Sequence, residues 1–166
     1  HEFQHMIHWE QKTNRLGFQD DTWLDEAMSE VAPYYAGYGP NYSRVLTFES
    51  GSNRSDSLTL WGDNPVDPLP DYAVVYMWAQ YIADRFPGDA FRNILASDRR
   101  GVASVEEYLI SQDPTLSFSS VFRDWSIAVF SGSNGSLTGN ADWSYRTIDT
   151  WAGYHYDIYG NEYLLP

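Results

Sequence analysis

Apolar positions recur at helical spacing through most of the chain. Over about residues 1–12, Phe3, Met6, Ile7 and Trp9 are separated only by good or neutral helix formers, which predicts a helix. Gly17 then marks a turn. Thr22 stands where a helix N-cap belongs, with Asp25 three residues on as a capping-box partner, and the helix it opens runs to about Tyr35, with Pro33 kinking or ending it. Farther on, Val75, Trp78 or Ala79, Ile82 and Phe86 keep a helical period, with Pro70 in the first turn and Pro87-Gly88 as the stop. Shorter helices are predicted over about 89–97, over 104–111 with Ser104 and Glu107 as a capping box, and over 117–130.

Two stretches lack that period. Residues 37–69 are rich in Gly, Ser, Asn, Asp and Pro, with β-like pieces only at 45–48 and 58–61. They predict a long ordered loop with room for a small hairpin between the second and third helices. Residues 131–140 read as turns, and 143–166 alternate aromatic with polar residues. The fold class is therefore mainly α: one domain of 166 residues, helical over about 1–130, with an irregular aromatic-rich segment over 131–166.

Composition narrows the function. Ten basic against 23 acidic residues give a net charge of −13, which repels a phosphate backbone and an anionic membrane surface, so nucleic acid is not an expected partner. The apolar run at 73–79 falls far short of the ~20 residues that cross a bilayer, so no membrane span is expected. Aromatics at 17% need a packed interior, and the absence of cysteine removes disulfides, thiolate metal sites and cysteine nucleophiles. With neither an initiator methionine nor a basic-then-apolar leader, His1 reads as a cut, with sequence missing upstream.

The chemistry concentrates at the start. His1-Glu2-Phe3-Gln4-His5 places two imidazoles at i and i+4 on one helical face, where both can reach one ion, and zinc suits them. Glu2, about 100° round the helix from His1, is the candidate general base for a water acidified by the metal. A catalytic zinc takes three protein ligands and keeps one position open. Glu26, 20 intervening residues after His5 and on the next predicted helix, is the candidate third ligand.

Trp23-Leu24-Asp25-Glu26-Ala27-Met28-Ser29-Glu30 resembles the Trp-Leu-Asn-Glu-Gly-x-Ser-Glu segment of gluzincin metallopeptidases, the thermolysin-like clan. With His-Glu-Phe-Gln-His-Met-Ile, it is most similar to the hyicolysin-like branch. Weaker likenesses at 71–72, 81–85 and 122–128 extend the resemblance over about residues 1–130. The resemblance implies a helical subdomain beginning at the zinc motif, with a sheet subdomain of the same protein missing upstream. It also implies zinc on His1, His5 and Glu26, hydrolysis of protein or peptide substrates, and a secreted or cell-surface bacterial setting. Glu30 then becomes the carboxylate that holds a ligating histidine, where relatives usually carry the shorter Asp. Asp25 replaces their Asn beside the ligand, adding negative charge. Tyr72 occupies the position of the tyrosine that donates to the oxyanion in aminopeptidase-like members.

Other signals compete with simpler readings. His8 continues the row of His1 and His5, but a fourth ligand would close the open position, so lining the cleft or packing is the better reading. His155, between two tyrosines, is a second candidate oxyanion donor, set against an ordinary packed histidine. Oxygen-bearing side chains over 63–67 could hold Ca2+ but lack the EF-hand ladder, and an Asx-turn explains them as well. Two rivals to a live peptidase remain: a zincin-derived scaffold without activity, and an aromatic-rich carbohydrate-binding or adhesion module.

Overall fold

The computed structural model describes residues 1–50, 56–62, 67–131, 139–148 and 150, together with the backbone of two short strands at 155–156 and 162–163. The fold is mainly helical. Helix α1 (Glu2–His8) runs on without a break into a wider π-helical segment (Trp9–Arg15), so the first helix extends beyond the predicted end near Lys12. Next come α2 (Thr22–Pro33), α3 (Tyr42–Glu49), α4 (Leu69–Arg85), α5 (Ala90–Ala96), α6 (Val102–Gln112) and α7 (Phe118–Ser131). None of the helices among the described residues is long and apolar enough to cross a membrane.

Helix α4 is the axis of the molecule. Its sequence predicts one apolar face, yet all but one of the residues from Pro70 to Asp84 are buried, because α2 and α3 both pack on it. Trp78 sits among Phe118, Phe122 and Trp125, with ring centroids 5.4, 6.3 and 5.5 Å away. Each such pair adds about 0.5–1.5 kcal/mol beyond the area it buries. Helix α7 meets this cluster with Val121, Trp125 and Ala128, spaced i, i+4 and i+7 along its buried face.

The long loop predicted over 37–69 is only partly one. A π-helical turn (Tyr34–Tyr38) closes α2 at Gly37, whose φ of 88° favours glycine, and α3 follows. Asn41 caps α3 by accepting from the Arg44 amide at 3.4 Å, and Tyr76 accepts from the Asn41 amide at 2.7 Å. Val45 and Phe48, read as β-like, are therefore helical. Three residues apart, they fall on one face and are both buried against α4, so tertiary packing overrides strand propensity. Residues 58–61 form a bend and irregular backbone, with Leu58 buried and no strand.

Both predicted capping boxes fail, each for a local reason. The N-cap of α2 is Asp21, one residue before Thr22, and Asp25 turns its carboxylate to His5 instead. The N-cap of α6 is Gly101, at φ 53°, so the helix starts early and Ser104 lies inside it, donating to the Gly101 carbonyl at 2.8 Å. Glu107 accepts from the Ser97 hydroxyl.

The C-terminal segment has more structure than its sequence predicts. A 3₁₀ turn (Ala141–Trp143) leads into a strap fastened to α4. Asp84 accepts from the amides of Arg146 and Thr147 at 2.7 and 3.0 Å. Buried Tyr145 donates to the Met77 carbonyl at 3.1 Å and accepts from Trp125 Nε1 at 2.9 Å. Strands β1 (His155–Tyr156) and β2 (Glu162–Tyr163) pair antiparallel, with His155 opposite Tyr163.

Candidate metal centre

Helices α1 and α2 pack side by side, and their facing sides bring the motif residues together. His1 is the N-cap of α1, and His5 lies one turn on. Their Nε2 atoms are 3.2 Å apart, and Glu26 Oε2 lies 3.6 Å from His1 Nε2 and 3.3 Å from His5 Nε2. His1, His5 and Glu26 offer one nitrogen or oxygen each within 4.8 Å of one another, and they are the only such cluster among the described residues.

Glu26 is the informative member. Its Oε2 is buried and accepts no hydrogen bond, although it faces both imidazoles. Burial raises its carboxyl above the ordinary range; His5 opposes that rise, and the carboxylates of Asp25, Glu30 and Glu2 add to it. A buried acceptor without a donor is costly, and a cation between the three ligand atoms would satisfy it. Two neutral nitrogens and one carboxylate oxygen form a donor set that suits zinc and leaves a fourth position open.

The partners of each candidate ligand come mostly from α2. His5 Nδ1 lies 2.9 Å from Asp25 Oδ1 and 3.1 Å from the Ser29 hydroxyl, contacts that leave Nε2 free to bind a metal ion. His1 Nδ1 lies 3.4 Å from Glu30 Oε1. Glu30 is gripped in turn by Arg44, whose Nε and Nη2 each donate at 2.8 Å. That fork fixes both carboxylate oxygens.

Glu2 stands at the mouth of the cluster, its Oε1 3.9 Å from His1 Nε2 and its side chain 91% exposed. A shallow groove of about 590 Å³, formed by Glu2, His5, Met6, Trp9 and Glu10, opens beside it. Tyr72 flanks the other side, its ring centroid 6.4 Å from that of His1. The ring centroid of Trp61, nearly perpendicular at 88°, and the guanidinium carbon of Arg44 both lie 4.9 Å from it, and burial raises its phenol above the ordinary value.

The structure thus brings Glu2, Tyr72, Asp25 and Glu30 to the rim of the His1–His5–Glu26 cluster. His8 lies outside it, buried between Asp20 and Asp25. The side chain of His155 and most of the 63–67 calcium candidate lie outside the described residues. Ser29, Arg44 and Trp61 are site residues that sequence reasoning missed. Ser29 could have been found from its i+4 spacing to Asp25 on α2, whereas Arg44 and Trp61 sit in a stretch read as a long loop with short β-like pieces, which carried no signal for the site. Compared with family models and with curated proteins, the chain matches none.

Proposed function

We propose that this chain carries the catalytic centre of a zinc-dependent peptidase of gluzincin type, with His1, His5 and Glu26 as ligands. The observation that carries the reading is the unpartnered Glu26 Oε2, buried and facing two imidazole nitrogens. Zinc bound there would lower the pKa of a coordinated water toward ~7 and polarise a substrate carbonyl.

The remaining work falls to the protein. Glu2, exposed beside the ligands, takes the proton from the attacking water and returns it to the departing amine nitrogen. Tyr72, held between Trp61 and Arg44, donates its phenol proton in a hydrogen bond to the oxyanion of the attacked carbonyl. Asp25 and Glu30 keep the two rings turned with Nε2 inward, and the Arg44 fork prevents Glu30 from swinging away. The groove along Met6 and Trp9 offers apolar surface for a peptide side chain next to Glu2.

The test is chelator-sensitive hydrolysis of casein, with Glu2→Gln beside the wild type. Glu2→Gln should keep its zinc and lose turnover by a factor of about 10² or more. Zinc loss in Glu2→Gln would mark Glu2 as a ligand. Stoichiometric zinc without cleavage in the wild type would leave an inactive zincin scaffold.

A further inference from the structure

Beside the candidate metal centre, a second and more polar cavity of about 230 Å³ opens between the first helix and the start of α2. His8, Trp9, Asp20 and Asp25 are among its walls. Trp9 also lines the groove that runs back past Met6 to Glu2. It stands about two helical turns from Glu2, roughly 10 Å along the axis, which an extended peptide covers in about three residues.

His8 supplies the observation that points to a ligand. Its side chain is 3% exposed, and Nε2 faces Asp20 Oδ2 at 3.1 Å. Burial opposes ionisation of Asp20, but hydrogen bonds from His8 and from the Gly101 and Asp21 amides hold its carboxyl below the ordinary range. Facing a carboxylate, Nε2 carries the proton of the neutral ring, and Nδ1 is left an acceptor. That Nδ1 is buried, accepts no hydrogen bond and lies 3.2 Å from Asp25 Oδ1, a second acceptor. Two acceptors so placed repel each other, and a donor that reached both would relieve the conflict.

The donor has to come from outside the chain. None of the lining residues is Lys or Arg. The basic side chains that follow on the first helix are committed, Lys12 to the Ile94, Ser97 and Arg99 carbonyls and Arg15 to Glu10 at 3.0 Å. A single water, at roughly 30 Å³, fills little of the cavity. Asp25, one-third exposed, gives its mouth a negative charge, and Trp9, 58% exposed, offers an indole face. Acceptors, negative charge and an indole face suit a guanidinium, which presents several N–H donors from a plane that stacks on aromatic rings.

Resting on the peptidase reading above, we propose that this cavity is a selectivity pocket for an arginine side chain of the peptide substrate. The guanidinium enters along the exposed edge of Asp25, lies against Trp9 and donates to Asp25 and His8 Nδ1. The arginine stands within about three residues of the bond that is cut.

The experiment maps cleavage sites in a peptide library with the zinc-loaded protein, then compares kcat/KM for an arginine peptide and its twin carrying citrulline, the neutral isostere. Arginine should be enriched at one fixed position, and citrulline there should lower kcat/KM about tenfold. Exposed Gln19 at the rim carries a charge-swap pair. Gln19→Lys should lower the arginine-to-citrulline ratio about threefold and Gln19→Glu should raise it about threefold. Equal rates for the two peptides, or a ratio that moves the same way in both variants, would overturn the pocket and leave the peptidase standing. So would arginine favoured alike at every position, the mark of the general field of an acidic protein. A protein that cleaves no peptide would overturn the peptidase reading, and direct binding then decides the pocket. Acetyl-arginine amide should shift the Trp9 indole N–H resonance at about tenfold lower concentration than acetyl-citrulline amide, and equal concentrations would overturn the pocket as well.

Discussion

Glu26 contains the conflict from which the rest of the site follows. Burial and three neighbouring carboxylates raise its folded-state pKa above the ordinary value near 4.5, so the metal-free fold binds that proton more tightly than the unfolded chain does. The corresponding stability is complete below pH 4.5 and is lost as pH rises through the folded value. Glu26→Gln should therefore raise the thermal midpoint of the metal-free protein at neutral pH while abolishing zinc binding, checked by calorimetry and metal analysis. A lower midpoint would show that the charge is already compensated without a cation. Tyr72→Phe should leave zinc and midpoint unchanged and lower kcat by about 10² to 10³, since one oxyanion donor is worth that much. A near-wild-type rate would return Tyr72 to a packing role. At this scale the sequence was readable where covalent geometry decides. The spacing of His1 and His5 places both on one face whatever surrounds them. Asp25 was not readable in that way: a carboxylate near a helix start can cap the helix or hold a histidine, and only the docking of α1 settles which.

Between the elements, the clearest divergence lies at α3. Its residues Val45 and Phe48 suit a strand by propensity, but the Asn41 cap and the flank of α4 make a helix the better burial. Phe48→Ala should cost about 3–5 kcal/mol in urea unfolding, the range for emptying a buried aromatic site. A loss below ~1 kcal/mol would mean that α3 packs only loosely. The helix also matters for the site, because Arg44 reaches Glu30 only from its first turn. By contrast, α4 to α7 were legible from periodicity and Pro/Gly stops. The start of α6 was displaced because Gly101, at a positive φ, rather than Ser104 opens the helix.

For the molecule as a whole, two attachments frame the candidate metal centre. The strap over 139–148 closes the far side of α4 through Tyr145, and Tyr145→Phe should cost about 1–3 kcal/mol by leaving Trp125 Nε1 and the Met77 carbonyl without their partner. On the near side the buried Lys12 faces Asp20 Oδ2 at 3.5 Å and donates to the Ile94, Ser97 and Arg99 carbonyls, tying the first helix to the end of α5. Neither was visible in the sequence, since each joins residues more than 60 positions apart or depends on a buried lysine that composition alone would place in solvent. The central claim is that His1, His5 and Glu26 form one zinc site. It is tested most directly by measuring metal content after equilibrium dialysis against zinc, for the wild type and for His1→Ala, His5→Ala and Glu26→Ala. The account predicts about one zinc per wild-type chain and loss of that zinc in each variant, with the far-UV spectrum unchanged. A wild type without zinc, or a Glu26→Ala protein that retains it, would contradict the account.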